Sequence, residues 1–319
     1  MTVVGTSGAI PIPIPGTVFV ALPDLPGNIG AFGLLKDSFT EVRVASRRDR
    51  AIAELTALGP GVCAAVVGVK ERIGPGVLDA LPGLRVLGSV GTGTDHLDLA
   101  ALRERGVRVV TTPGVNSVSV AEHTMMMILA LAKRALSGHR AALTGEDRAG
   151  MPEPPVELRG RCAGLLGAGA TARALLPLLR AFGMEPLVWT RTPDNHPDLP
   201  TAGLEEVFRR SDVLSVHLPL ADATRGLVGP RLLGLLPPGA LVVNTARKEI
   251  LDLAALPEAI AARPDLRFAV DDFGLSADGT AAALGSSALL SPHTAGVTAE
   301  SLAAMQDSAV RQTIDLLRP

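Results

Sequence analysis

The stretch Ala163-Gly-Leu-Leu-Gly-Ala-Gly-Ala-Thr-Ala172 decides how this chain is read. Residues 162–166 form a short apolar run and residues 170–182 carry a helical pattern, so the glycines fall at a strand-to-helix turn. Gly167, Gly169 and Ala172 fit G-x-G-x-x-[G/A]. In that pattern the first glycine allows the tight turn and the second lets backbone approach a pyrophosphate. The third small residue lets helix and strand pack closely. Amides at the helix start, those of Ala170 and Thr171 among them, make an anion site strengthened by the helix dipole. In a chain of 34 glycines the pattern alone is weak. Its place inside a series of alternating strands and helices makes it a dinucleotide-binding turn.

The end of the next strand bears on which dinucleotide. A ribose-binding carboxylate is expected about 20 residues on, but Val188-Trp-Thr-Arg-Thr192 has none. Thr190, Arg191 and Thr192 instead supply hydroxyls and a guanidinium suited to a 2′-phosphate. The expectation is NADP(H) over NAD(H).

Moving outward, β-branched runs alternate with Ala/Leu-rich amphipathic stretches along most of the chain. Thr17-Val-Phe-Val-Ala-Leu22, Ala64-Ala-Val-Val-Gly-Val69, 85–90 and 107–111 read as strands, with helices at 49–58 and 97–105. Residues 118–135 read as a helix apolar on nearly every side, and 138–158 as a polar surface excursion. A second series has strands at 162–166, 186–190, 212–217, 239–244 and 267–271, with helices at 170–182, 203–210, 228–235 and 252–262. A last helix, 298–317, has no strand after it and can fold back onto the first domain. Strands apolar on both faces suit parallel sheets covered by crossover helices, so the class is α/β.

The 319 residues suit about two domains. Hydrophobic residues make up 47% and charged ones 19%, which excludes a disordered chain. A net charge of −2 offers no nucleic-acid footprint and no polybasic membrane patch. Seven Phe, one Trp and no Tyr leave little with which to stack bases. Cys63 and Cys162 form no disulfide framework, and the histidines and cysteines lack ligand spacing for a metal. The Ile-Pro repeats at Pro11, Pro13 and Pro15 favour an extended lead-in. The first basic residue is Lys36 and the apolar run at 125–132 is too short to span a bilayer. The expectation is a soluble, cytoplasmic protein.

Several further motifs occur in order: Gly91-Thr-Gly-Thr-Asp-His-Leu-Asp98, Pro113-Gly-Val-Asn-Ser-Val-Ser-Val-Ala-Glu122, Val216-His-Leu-Pro-Leu220, Asn244-Thr-Ala-Arg247 and Ser291-Pro-His-Thr-Ala-Gly296. With them, roughly over residues 60–300, the chain resembles the D-isomer-specific 2-hydroxyacid dehydrogenases. The resemblance implies two Rossmann-like doubly wound domains. One is a discontinuous substrate domain, 1–112 plus 294–319; the other is an inserted dinucleotide-binding domain, 113–293, with the active site in the cleft. It implies that Arg247 holds the substrate carboxylate and polarises the 2-oxo group, while backbone at Val90, Gly91, Thr92 and Gly93 binds the other carboxylate oxygens. His293 becomes the acid/base group, Asp271 the anchor of the nicotinamide carboxamide, and His217, Pro219 and Thr245 line the cofactor. The family association is a homodimer, to which the 118–135 helix would contribute.

One departure stands out. The family places a Glu, paired with the catalytic His, five residues after the equivalent of Asp271, and here that position is Ser276. A carboxylate raises an imidazole's pKa and fixes its tautomer, whereas a serine can do only the second, weakly. Asp278 could substitute if the loop is re-registered, while strand alternation turns Asp272 away. Lys248, where the family has Gly, adds a cation. The leading expectation is an NADP-linked 2-oxo acid reductase. Altered or non-redox chemistry in a specialised biosynthetic pathway, or a non-catalytic dinucleotide-binding protein, are the alternatives.

Overall fold

Short runs of Val, Leu and Ala pair into two parallel sheets in the computed structural model. It describes residues 13–148, 151, 153–272, 274–277, 279–285 and 288–318; Pro11, Gly150, Pro152 and Asp278 lie outside them. The chain divides into two compact units, one running up to Val115 and resuming at Ala299, the other Asn116–Thr298.

The first unit carries β1 (Ile14–Val20), α1 (Ile29–Ser38), β2 (Phe39–Val44), α2 (Ala51–Leu58), β3 (Val62–Val67), α3 (Pro75–Asp79), β4 (Val86–Ser89), α4 (Leu99–Glu104) and β5 (Arg108–Val110). The strands lie in the order β2-β1-β3-β4-β5. Central β3 is buried at every position, as a parallel strand covered on both faces must be. The C-terminal helix, Ala299–Leu317, packs on α1 and β4 through Met305, Ala309, Val310 and Ile314. Gly88 of β4 permits that approach: a Cβ there would lie 2.4 Å from Thr313 Oγ1.

The second unit holds α5 (Ser117–Ala132), α6 (Ala135–Thr144), β6 (Cys162–Leu166), α7 (Ala170–Ala181), β7 (Glu185–Trp189), α8 (Leu204–Arg210), β8 (Val213–Val216), α9 (Pro230–Leu233), β9 (Leu241–Asn244), α10 (Leu256–Ala262), β10 (Arg267–Asp271), α11 (Thr280–Leu284) and β11 (Leu289–Ser291). The C-terminal helix of the first unit is α12 in this count. Strand order is β11-β10-β9-β8-β6-β7, so the chain changes direction across the sheet beside β6, between β7 and β8. A crevice at such a reversal, at the carboxyl ends of the strands, is where this architecture binds ligands.

Several expectations change. The 138–158 excursion begins as helix α6 through Thr144, because its Ala and Leu residues outweigh Gly138. A break with Arg134 at φ 53° separates it from α5. Helix α5 is one-sided: Met125, Met127, Ile128 and Leu131 are buried, while Met126 is 44% exposed. The compact units divide at 115/116 and 298/299, a few residues beyond the expected 112/113 and 293/294. Residues 294–298 stay with the second unit because Asp271 binds the amides of Thr294 and Ala295, and Ser119 Oγ lies 3.0 Å from Thr298 Oγ1.

Candidate active site

The glycine turn has the shape its sequence implies. Gly167 has φ 110°, and a Cβ on it would sit 2.6 Å from the His217 carbonyl oxygen. The close approach arises because the loops after β6 and β8 meet, His217 N donating to Leu166 O at 2.8 Å. Gly169 has open space where a Cβ would go, and it caps α7 with no side-chain hydrogen bond. Ala172 is buried against the core, while Ala170 is exposed and Thr171 half-buried. Bare backbone beside a helix start therefore fits a dinucleotide's pyrophosphate.

At the end of β7, Thr190 is half-buried and Arg191 and Thr192 are exposed. Nearby, Arg173 of α7 grips Asp198 through two nitrogens, at 2.6 and 3.1 Å, and lies 3.0 Å from His196 Nδ1. On the other wall, burial pushes the His217 imidazole down to about 4, so it is neutral at pH 7. Its Nε2 lies 2.9 Å from Ser215 Oγ. Pro219 is exposed beside it, its carbonyl accepting from Thr224 Oγ1 at 2.7 Å.

Beyond β9 the buried Asn244 side chain builds the turn that presents Arg247. Its Nδ2 donates to Arg247 O at 2.8 Å, and its Oδ1 accepts from Ala246 N at 3.0 Å. Arg247 itself is half-buried in extended backbone and donates to Ala246 O at 2.9 Å. Thr245 Oγ1 lies 2.9 Å from Thr124 Oγ1 of α5, tying the same turn to that helix.

His293 occupies the loop after β11 with φ 59°, a conformation unusual for a side chain larger than glycine. The buried Asp271 carboxylate shapes that loop. It accepts from Thr294 N at 2.8 Å, from Ala295 N at 2.9 Å and from Ser291 Oγ. Ser291 Oγ is also 3.1 Å from His123 Nε2 on α5. Asp271, expected beside the nicotinamide, thus has a loop-holding role that the sequence reading lacked.

The partner of His293 is the main correction. Its Nδ1 lies 3.1 Å from Asp272 Oδ1. Ser276 is exposed and makes no hydrogen bond among the described residues. Asp271 and Asp272 do point differently, but the loop of residues 291–295 crosses the end of β10 and meets both. The sequence reading set Asp272 aside and gave Asn244 and His123 no role of their own, yet all three hold these loops. An aspartate doublet at a strand end was the available signal for the first.

In the first unit, Val90 N donates to Val67 O at 2.8 Å and Gly91 N to Ser89 O at 3.1 Å. These two amides are engaged within the first unit. Gly91 remains constrained, since a Cβ there would lie 2.5 Å from Val69 Cγ1. Among the described residues no cluster of His, Cys, Asp or Glu is placed to hold a metal ion, and no helix is long and apolar enough to cross a membrane.

The profile of the D-isomer specific 2-hydroxyacid dehydrogenase NAD binding domain matches residues 125–295. The chain belongs to this family. Within it, the chain is 35% identical over 200 residues to a glyoxylate reductase of Aeropyrum pernix, 60% of each sequence being matched. It is 32% identical to an (S)-sulfolactate dehydrogenase of Chromohalobacter salexigens, over 78% of this chain and 82% of the other. The crystal structure of the TT0316 protein from Thermus thermophilus superposes with a TM-score of 0.80 at 30% identity, covering 94% of this chain and 96% of that one. The 2-hydroxyacid dehydrogenase relatives carry reductase and dehydrogenase names, and the cofactor class of this domain is nicotinamide dinucleotide.

Proposed function

We propose that the protein is an oxidoreductase interconverting a small 2-oxo acid and its 2-hydroxy acid with NADP(H). The observation that carries the reading is the His293–Asp272 pair at 3.1 Å, in the same unit as the glycine turn and the Arg247 turn. A nicotinamide dinucleotide held by its pyrophosphate at the glycine turn would supply or accept the hydride at the substrate's C2. Arg247 binds the substrate carboxylate and polarises the 2-oxo group, a task for which a planar, permanently charged fork is suited. His293 gives the proton to the 2-oxygen on reduction and takes it back on oxidation. Thr92 and Gly93 supply amides to the carboxylate; Asp271 holds the His293 loop and the nicotinamide end. His217, Pro219 and Thr245 line the cofactor.

Altered chemistry at Ser276 loses its motive once the imidazole has a carboxylate beside it. A pure sensor would have no use for the Arg–His set.

Following NADPH absorbance across a panel of small 2-oxo acids, with NADH as control and pH from about 5 to 9, tests the reading. Oxidation of NADPH in preference to NADH is the expected result. Arg191→Ala then raises the KM for NADPH roughly tenfold to a hundredfold, the worth of hydrogen bonds to a charged group, and leaves NADH unaffected. Failure of every 2-oxo acid, or equal use of both cofactors, would count against the reading or its NADP half respectively. We also propose a homodimer, for which exposed Met126, Leu136 and Leu143 on α5 and α6 offer apolar surface. Sedimentation at micromolar concentration checks this, and a monomer removes it.

A further inference from the structure

Resting on the reading of His293 as the acid/base group, we propose that Asp272 is its positioning carboxylate, carried on the residue immediately after strand β10 instead of further along the following loop. The side chain of Asp272 is only 5% exposed and that of His293 19%, so the contact is sheltered from water. Both oxygens of Asp272 are held. Oδ1 faces His293 Nδ1, and Oδ2 accepts from Lys248 N at 2.6 Å. Its own backbone amide donates to Ser291 O at 3.2 Å, the last bond of the β10–β11 pairing, which ends with Asp271 opposite Ser291. A carboxylate fixed at its backbone and at both oxygens has a single orientation, so it selects the imidazole tautomer with the proton on Nδ1. That directs Nε2 to the substrate proton.

The second oxygen adds a coupling. Lys248 directly follows Arg247, so one carboxylate holds both the acid/base loop and the turn that presents the substrate-binding guanidinium. A carboxylate at position 276 would have to be brought in by residues 274–277, a segment that is exposed apart from Leu275. Asp272 needs no such movement. Among the described residues, the charged groups on the flanking segments include Arg247, Lys248 and Glu249 after β9, Asp271 beside Asp272, and His123 of α5 through Ser291.

The test is an NMR titration of the His293 ring in histidine-labelled full-length protein, comparing wild type, Asp272→Asn and Asp272→Glu, together with pH–rate profiles. His293→Gln assigns the signal, and thermal unfolding checks that each variant is folded. Asp272→Asn is expected to lower kcat at least about tenfold. It should also move the ring titration and the alkaline fall in reduction rate to lower pH. The sign follows because reduction needs the protonated imidazole, which a neighbouring negative charge favours. Asp272→Glu, which keeps that charge, recovers part of both. A folded Asp272→Asn protein whose ring titration and pH profile match the wild type overturns the proposal. A displaced titration in a protein that reduces no 2-oxo acid leaves the pair standing and removes only the reading of the reaction.

Discussion

His293→Gln is expected to reduce kcat for 2-oxo acid reduction by roughly a hundredfold to ten-thousandfold, the range a positioned acid/base group contributes. Glutamine keeps a side chain of similar reach but cannot deliver a proton to the developing 2-oxyanion. The loop itself does not depend on the imidazole, because Asp271 fixes it through the amides of Thr294 and Ala295. Cofactor binding, followed by quenching of Trp189 at the end of β7, should therefore persist. Loss of rate with retained NADPH binding places the defect in proton transfer. A variant retaining more than about a tenth of the wild-type rate would show that His293 is not the acid.

Arg247→Lys is the second large effect. The substitution keeps the charge but loses the planar fork that matches a carboxylate and an adjacent carbonyl oxygen. A fall of roughly a hundredfold to a thousandfold in kcat/KM for the 2-oxo acid is expected, as for removal of an oxyanion donor. Most of it should appear in kcat if the guanidinium acts on the 2-oxo group in the transition state, and in KM if it only holds the carboxylate. The turn survives the change, since Asn244 holds it through the backbone of residues 246 and 247. Wild-type kinetics with lysine would remove Arg247 from the substrate.

Much of the fold could be read because its strands are apolar on both faces and its helices are periodic. The runs at 162–166 and 267–271 coincide with β6 and β10. Elements went unread where that signal fades. Strand β2 alternates exposed Thr40, Glu41 and Arg43 with apolar neighbours because it is an edge strand. Strand β11 is three residues long, too short to display a period. Helix α1 begins at a cap, Asn28 accepting from Ala31 N at 3.3 Å, and is interrupted by Gly30 and Gly33. In the site, glycine chemistry was legible in the turn at Gly167 because its backbone demands are local. The pairing of Asp272 with His293 was not, because it depends on a loop 21 residues further on crossing the strand end.

The place of this carboxylate, next to the strand end, has a consequence for how this segment can vary. A partner five residues into a loop is displaced by any insertion or deletion before it, whereas Asp272 immediately follows the last residue of β10 and is tied to β11 by its amide's bond to Ser291 O. Changes in length beyond that point leave the charge where it is. The segment from Gly274 onward is thereby relieved of a spacing requirement, and its length can drift without disconnecting the proton-transfer group from its counter-charge.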